Sequence, residues 1–331
     1  STDQSKAFFI FAQNFCMLKL AVIGMTDVDS TNLEELQQLT DVVEISGQYL
    51  GVQKSADRDY DSFAEALEEA DVLFINHSVE GIEEFLIKAF RMSKHVFLNG
   101  WPNLSMTAWS KIESICQEAG VVFHISNENS TRTLHQSLTG LVQEPRIIKW
   151  DQFLNVSELD SLKLGFQTKM ANDLLSLTPM LNRKTKSIKA NLVESKKAPL
   201  ALMARFVFED ASVFDYALFS GVSGGSNVLQ VHQDGQTLVS NYLENSLEIT
   251  TDAPSKIFEG MEWEKDKKSG LSRSKIAFKS SEKANNVASW MNFMECIIEQ
   301  KDVSDKIHDY HKVAEILYEI NSQTWFQTEE S

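Results

Sequence analysis

The side chains in this sequence that could do chemistry gather at the ends of short apolar runs. His77 is the one that titrates near neutral pH, which makes it a candidate proton carrier. A lone histidine at the end of a strand also serves structure alone, so both interpretations stay open. The small and polar candidates at these ends are Gly24, Thr26, Ser46, Asn76, His77 and Asn99.

Histidine and cysteine spacing gives little support for a metal site. His308 and His311 are three residues apart, so a helix would place them on one face, where they could ligate a metal or simply face solvent. Cys16, Cys116 and Cys296 form no CxxC pair, so neither a zinc knuckle nor a disulfide framework is predicted. We expect no metal, and scattered reduced thiols fit the cytoplasm.

Alternating segments in the first half would position the candidate residues. Short apolar runs predict five strands, and capping boxes at 31–34 and 62–65 begin two of the helices between them. This alternation predicts a doubly wound parallel sheet of the Rossmann type, covered by helices on both faces. Ligands of such sheets bind beyond the carboxyl ends of the strands. The predicted strands are 18–24, 41–46, 71–76, 94–99 and 121–126.

The second half changes to strands that alternate at period two. Residues 146–155 show this pattern, and further strand-like runs follow a predicted helix at 170–181. Gln233-Asp234-Gly235-Gln236 is a hairpin turn signal. We therefore predict an α+β domain with an open, mostly antiparallel sheet and two closing helices, at 284–300 and 304–326.

Charge and composition bound the function classes. The chain of 331 residues carries 31 Lys and Arg against 47 Asp and Glu, a net charge of −16. That balance disfavours nucleic acid and anionic membranes as partners. No apolar run reaches the roughly 18 residues that span a bilayer. We expect an N-terminal extension at 1–16, whose apolar stretch 8–12 fits a strand or an extension better than a signal peptide, then domains at 17–130 and 131–331.

The order and spacing of these segments resemble the Gfo/Idh/MocA family of NAD(P)-dependent oxidoreductases, from about Met17 to Trp325. The most specific stretch, 93–102, reads SKHVFLNGWP and is similar to the family's GKHVxCEKP segment. Residues 59–72 and 290–305 match in order as well. The resemblance implies a dinucleotide-binding domain at 17–130, a C-terminal substrate domain at 131–331, and hydride transfer between NAD or NADP and a sugar- or polyol-like substrate. It also implies a homodimer or tetramer formed through the C-terminal sheet.

The cofactor motifs depart from that family. The phosphate loop should read GxGxxG, but residues 24–29 keep only Gly24, and Asp27 and Asp29 bring negative charge where phosphates would lie. The second strand ends without the acid or arginine that would hold the adenosine ribose, which leaves Ser46 or Gln48 as a weak contact. In the family's TPNxxH motif the histidine position is Ile82, so His77 is a shifted candidate.

The catalytic motifs depart further. Trp101 stands at the position of the lysine in EKP, while Pro102 is kept. Trp101 either fills the pocket and packs in the core, or stacks on a planar or sugar ligand. In the DxxxHxxD helix, Phe166 and Met170 replace the first aspartate and the histidine, and only Asp173 matches. None of the three replacements transfers protons.

Two hypotheses follow from the resemblance and its departures. The first is a divergent oxidoreductase that uses NAD or NADP. The second is a catalytically inactive relative with a ligand-binding, regulatory or scaffolding role. The weak catalytic candidates are His77 and Asp173. The implied cofactor contacts are Gly24, Thr26, Ser46, Asn76, His77, Asn99, Trp101 and Pro102.

Overall fold

The computed structural model describes residues 17–24, 43–49, 62–76, 79–154, 162–195, 198–220, 227–254, 262–278, 286–301 and 304–324. These residues form two compact units. The first unit contains the described residues up to Asn127 together with Asn286–Lys312. The second contains the described residues of 128–285 and those from Val313 onward.

The first unit is built on a parallel sheet, as predicted. Its described strands run in the order β2-β1-β3-β4-β5, so the chain winds outward in both directions from β1 and β3. This order is that of a doubly wound fold. The elements are β1 (Leu18–Ile23), β2 (Val43–Tyr49), α1 (Phe63–Glu69), β3 (Val72–Asn76), α2 (Ile82–Arg91), β4 (His95–Asn99), α3 (Met106–Ala119) and β5 (Phe123–Ile125).

Local sequence explains where these helices begin. The hydroxyl of Ser62 accepts a hydrogen bond from Glu65 N at 3.3 Å, which confirms the predicted capping box of α1. Ser105 caps α3 in the same way, accepting from Ala108 N at 3.1 Å. Each cap fixes the first turn of its helix.

A late segment of the chain completes the first unit. We expected α7 (Asn286–Ile298) to belong to the C-terminal domain, but it packs on the first sheet. Trp290 and Phe293 lie 5.1 and 5.5 Å from the ring of Phe97 on β4, centroid to centroid. The physical reason is apolar area, because the buried faces of β1, β3 and β4 need a cover that α7 supplies.

The second unit is built on a mostly antiparallel sheet, which confirms the predicted fold class. The order of its described strands is β13-β14-β12-β11-β10-β6-β9-β8-β7, with β6 and β9 parallel. Gly235, at φ +69°, forms the predicted turn between β10 and β11. The strands are β6 (Ile147–Leu154), β7 (Thr185–Ser195), β8 (Ala198–Phe208), β9 (Val213–Ser220), β10 (Asn227–Gln233), β11 (Gln236–Asn241), β12 (Ser246–Thr251), β13 (Glu264–Lys265) and β14 (Ser272–Ala277).

Helices cover one face of this sheet. The helix predicted at 170–181 is longer than expected and forms α6 (Leu162–Leu181), which packs on β8 and hydrogen-bonds to β6 and β9 through Asp173. Two helices that we did not predict precede it, α4 (Glu128–Thr131) and α5 (Thr133–Leu141). The last helix, α8 (Ser304–Gln323), matches the prediction. No helix in the described ranges is long and apolar enough to cross a membrane.

Candidate functional site

The carboxyl edge of the first sheet carries the polar residues that the sequence predicted there. Asn76 and Asn99 end β3 and β4 and are register neighbours. Beyond β5, Ser126 and Asn127 are buried. Asparagine and serine side chains offer hydrogen bonds but no proton transfer near neutral pH. Asn99 is the partly exposed one of these four residues, so it is the one that a ligand can contact, while the other three are buried. Thr26 and His77, which the sequence also assigned to this edge, lie outside the described residues.

Gly24 and Ser46 both make close contacts within the first unit. Gly24 has φ +72°, and a Cβ added there would lie 2.0 Å from Cγ2 of Val79. Glycine is thus required both by the turn and by the close approach of Val79. The Ser46 hydroxyl donates to the carbonyl oxygen of Leu20 at 3.1 Å. That bond holds β2 against β1 and directs the hydroxyl hydrogen to the sheet rather than to a ribose.

Trp101 lies in the core of the first unit. Its side chain is only 7% exposed, and its ring stacks on Trp109 with centroids 5.1 Å apart and planes at 30°. Trp109 sits in the first turn of α3, which Ser105 holds in place. Gly100 precedes Trp101 with φ +94°, and Pro102 is buried beside it. The indole is therefore covered by another side chain of this protein.

The two other expected proton carriers are replaced by core side chains. Phe166 is 0% exposed and Met170 is 1% exposed, one turn apart on α6. Neither offers a polar atom that exchanges protons. Because both are sealed from solvent, no ligand in solution reaches these positions without repacking the helix.

Asp173 is the one matching residue of that motif, and it is the centre of a buried network. Its carboxylate is 0% exposed. Oδ2 accepts hydrogen bonds from Tyr216 at 2.8 Å and from Gln152, and Oδ1 accepts from Asn129 at 3.1 Å and from Lys169. Four donors satisfy the carboxylate, which is the condition for burying a charge at tolerable cost.

Lys169 is the part of this network that reaches solvent. Its amine forms an ion pair with Asp173 one turn along α6, donates to Gln152 Oε1 at 2.6 Å, and lies 5.5 Å from the ring centroid of Trp150. The side chain remains 26% exposed. Burial raises the pKa of Tyr216 strongly, and the adjacent Asp173 charge raises it further, so Tyr216 stays protonated and donates. Tyr216 therefore serves this network as a hydrogen-bond donor.

A second buried pair joins α5 to the sheet. Nε2 of His135 lies 2.9 Å from the carbonyl oxygen of Ser176, and Nδ1 lies 2.5 Å from the hydroxyl of Tyr242. A carbonyl only accepts, so Nε2 carries the proton and Nδ1 accepts from Tyr242. Burial lowers the pKa of His135 and raises that of Tyr242, so both are neutral.

Sequence reasoning missed Lys169, Gln152, Tyr216 and the His135–Tyr242 pair. The signal for Lys169 was its spacing of four residues before Asp173, which puts both on one helix face. Gln152 and Tyr216 occupy inward positions of strands that alternate at period two. Polar residues on an inward face indicate a buried network, although they do not say which residues meet.

His308 and His311 contact a side chain of the first unit rather than solvent only. Both contact Glu113 on α3, His308 Nδ1 at 3.3 Å from Oε1 and His311 Nδ1 close to Oε2. The three residues clamp α8 to α3 within the first unit. The described part of the chain contains no group of three or more histidine, cysteine or acidic residues arranged to hold a metal ion.

Comparison of the whole chain with solved structures gives the family of the fold. UDP-N-acetylglucosamine 3-dehydrogenase of Acidithiobacillus ferrooxidans superposes with a TM-score of 0.77 at 14% identity, covering 94% of this chain and 98% of that one. A Gfo/Idh/MocA family oxidoreductase of Vibrio cholerae reaches 0.73 at 13% identity, with 95% and 100% covered. This chain has the Gfo/Idh/MocA fold. The sequence resemblance is thereby confirmed at the level of the fold.

Other comparisons set the limits of that conclusion. A levoglucosan dehydrogenase solved with NADH and L-sorbose matches at a TM-score of 0.72 and 11% identity, covering 93% of this chain and 97% of that one. No protein-family model and no curated protein matches this chain. The chain thus shares the fold of these solved structures at 11–14% sequence identity.

The described residues do not fit a dinucleotide in the way that the family motifs would. Ser46 donates to the sheet, Trp101 is covered by Trp109, and the space beside Gly24 is filled by Val79. The remaining candidates at the carboxyl edge are neutral amides and hydroxyls. A dinucleotide needs backbone amides or cations for its phosphates, and no described side chain named for this role carries a positive charge.

Proposed function

We propose that this protein is a ligand-binding relative of the sugar dehydrogenases and does not transfer hydride. One observation carries the proposal: the three positions at which the resemblance places proton carriers hold the buried side chains Trp101, Phe166 and Met170. General acids and bases contribute roughly 100- to 10,000-fold each to such reactions. Removing all three leaves the fold without its expected chemistry.

The ligand that suits this scaffold is small, neutral and rich in hydroxyl groups. At the polar edge of the first sheet, the partly exposed Asn99 carries an amide of the kind that recognises sugars, while Asn76, Ser126 and Asn127 are buried. Solved structures with this fold include a UDP-N-acetylglucosamine 3-dehydrogenase and a levoglucosan dehydrogenase, which supports a sugar-like ligand. The protein would then act as a sensor or scaffold in the cytoplasm, where the free thiols of Cys116 and Cys296 stay reduced.

Cofactor titration tests the proposal directly. NADH and NADPH are added to millimolar concentration while energy transfer from the tryptophans to the reduced nicotinamide is followed. A panel of polyols and sugars with NAD and NADP is then assayed for nicotinamide reduction. We expect no turnover with any polyol. Turnover that rises with enzyme concentration and survives repurification would overturn the proposal.

A second candidate function is a divergent oxidoreductase that uses Lys169. The observation in its favour is that Lys169 stands on the same helix as the lost motif, 26% exposed and held by Asp173 and Gln152. Were turnover found, Lys169→Met would abolish it under this candidate. Lys184→Met is the matched control, because that lysine pairs with Glu209 at the surface and leaves α6 untouched.

We also propose that the second unit forms a homodimer or tetramer through the outer face of its sheet. Phe153 and Phe219 stack there with centroids 4.9 Å apart, and Met203 on β8 is 39% exposed. Arg205 and Asp215 form a bidentate ion pair on the same face. An apolar sheet face with flanking charge is suited to pairing with a second copy.

A further inference from the structure

Three side chains on the surface of the first unit are arranged in the order nucleophile, base and acid. The hydroxyl oxygen of Ser110 lies 3.5 Å from Nε2 of His311, and Nδ1 of the same imidazole contacts Oε2 of Glu113. A carboxylate only accepts hydrogen bonds, so Nδ1 carries the proton of the neutral imidazole and Nε2 is an acceptor beside the hydroxyl. This is the polarity of a serine–histidine–acid triad, which is recognised by geometry and roles rather than by sequence order.

Two helices hold these three side chains in place. Ser110 and Glu113 are three residues apart on α3, and His311 lies on the part of α8 that belongs to the first unit. α3 buries its apolar stripe in that unit. α8 is anchored there by Tyr310, whose hydroxyl accepts a hydrogen bond from Ile125 N at 3.2 Å. Reacting side chains need such rigid supports to keep their mutual geometry.

Exposure differs among the three residues in the way that a reacting site needs. Ser110 is exposed to solvent, whereas the side chains of His311 and Glu113 are 16% and 17% exposed. His308 contacts the second carboxylate oxygen of Glu113 at 3.3 Å and helps to hold that group. The Ser110 hydroxyl also donates to the carbonyl oxygen of Met106 at 3.2 Å, so a side-chain rotation is needed before it donates to the imidazole. Such hydrogen bonds are often long before a substrate binds.

We propose that Ser110, His311 and Glu113 form an esterase site for small activated esters. The Ser110 oxygen bonds to the acyl carbon while its proton passes to Nε2 of His311, and His311 gives that proton to the departing alcohol oxygen as the ester bond breaks. Water then hydrolyses the acyl-serine with His311 as base, which releases the carboxylic acid and restores the hydroxyl. Glu113 orients the imidazole and stabilises its charged form.

The backbone around Ser110 limits the substrate class. Ser110 lies within α3, where its backbone amide is used by the helix. This amide therefore supplies no donor for the oxyanion that develops on the acyl oxygen. A good leaving group is then required, which favours activated esters over amides. The site does not depend on the proposed ligand-binding function, since its reaction involves neither a nicotinamide nor a sugar.

Hydrolysis of 4-nitrophenyl acetate by the full chain tests the site. We expect release of 4-nitrophenol above the buffer rate and in proportion to protein concentration. Ser110→Ala removes the nucleophile and His311→Gln removes the base, so each should lower the protein-dependent rate about 100-fold. Glu113→Gln should lower it about 10-fold or more, because an amide does not hold the imidazole in the same tautomer. Phenylmethanesulfonyl fluoride should label Ser110, as detected by mass spectrometry of the digested protein.

The matched control is His232→Gln, because Nδ1 of His232 lies 3.1 Å from the hydroxyl of Thr237, which places a histidine beside a hydroxyl outside the proposed site. This variant should keep the wild-type rate. Circular dichroism checks folding, and Ser110→Ala carries the test if His311→Gln does not fold, since it shortens only an exposed side chain. Equal rates in the wild type and Ser110→Ala would refute the site. Failure of the fluoride to label Ser110 would refute it as well.

Discussion

Replacing Lys169 by methionine tests whether the Asp173 network stabilises the second unit. The change keeps the aliphatic stem and removes the cation, while Tyr216, Gln152 and Asn129 still donate to the carboxylate. Removing one partner of a fully buried ion pair costs about 3–5 kcal/mol. Since the Lys169 side chain is 26% exposed and three donors remain, we expect about 2–3 kcal/mol.

A double-mutant cycle measures the coupling between Lys169 and Asp173, and a surface control measures the effect of losing an exposed ion pair. Urea unfolding is followed for Lys169→Met, Asp173→Asn and the double variant, with hydrogen exchange of β6 and β9 reporting on the second unit. The double variant should recover part of the loss, because an amide needs no cation. Lys184→Met is the matched control, since Lys184 pairs with Glu209 at 2.8 Å and both side chains are exposed.

The surface control sets the scale on which the result is judged. Exposed pairs contribute only about 0–1 kcal/mol. A loss in Lys169→Met no larger than that in Lys184→Met would show that Asp173 does not depend on the cation. The description of Lys169 as part of a buried network would then be wrong.

Three further predictions concern other parts of the molecule. Gly24→Ala should destabilise the first unit by about 2–4 kcal/mol, from positive φ and overlap with Val79, and Val79→Ala should relieve part of that loss in urea unfolding. Burial, and to a lesser extent Lys306, lowers the pKa of His124 to about 3 from 6.5, so the unfolded chain binds a proton that the folded chain refuses. His124 should therefore lower stability on acidification below pH 6.5, by about 2 kcal/mol at about pH 5, and His124→Phe should remove this part of the slope while His95 and His135, whose pKa values burial also lowers, keep theirs. Met203→Glu should shift sedimentation to a smaller species if the outer sheet face joins copies, whereas an unchanged distribution would exclude this face.

Hydrophobic periodicity predicted most of the elements but not every assignment of an element to a unit. The pattern of Trp290, Phe293 and Met294 predicts a helix with one apolar stripe, and α7 is that helix. The stripe does not say which sheet it covers. In the structure, Trp290 of this stripe contacts Phe74 and Phe97 on the first sheet. The helix packs there because that apolar face of the sheet is left uncovered by the helices that are nearer in sequence.

The buried network shows a second limit of the sequence pattern. Period-two alternation puts Gln152 and Tyr216 on inward faces of their strands, and that much could be predicted. Their meeting with Asp173 depends on β6 and β9 lying side by side and parallel, with Trp150 in register with Tyr216. One parallel pair inside a mostly antiparallel sheet has no local signal, because both arrangements use the same alternation.

Trp101→Lys restores the lysine of the family's EKP motif by a single substitution. We expect that it lowers stability and does not restore NADH binding. It places an ammonium where an indole is 7% exposed and stacks on Trp109. The lost aromatic packing costs about 3–5 kcal/mol, and the buried cation has no acceptor prepared for it. Differential scanning calorimetry should show a lower transition temperature, with no gain in NADH affinity by fluorescence.

The outcome of that substitution bears on how the chemistry was lost. If Trp101 merely blocked a pocket that is otherwise intact, Trp101→Lys would restore NADH binding with little loss of stability, and our interpretation would fail. We expect the opposite because the side chains that replace the proton carriers are part of the packed core. Phe166 and Met170 are sealed in the core of the second unit, so Met170→His would bury an imidazole without a partner. The buried His135 is neutral and fully bonded, which shows what a histidine in this interior requires. Restoring proton transfer would therefore require repacking around α6 as well as new side chains at the three motif positions.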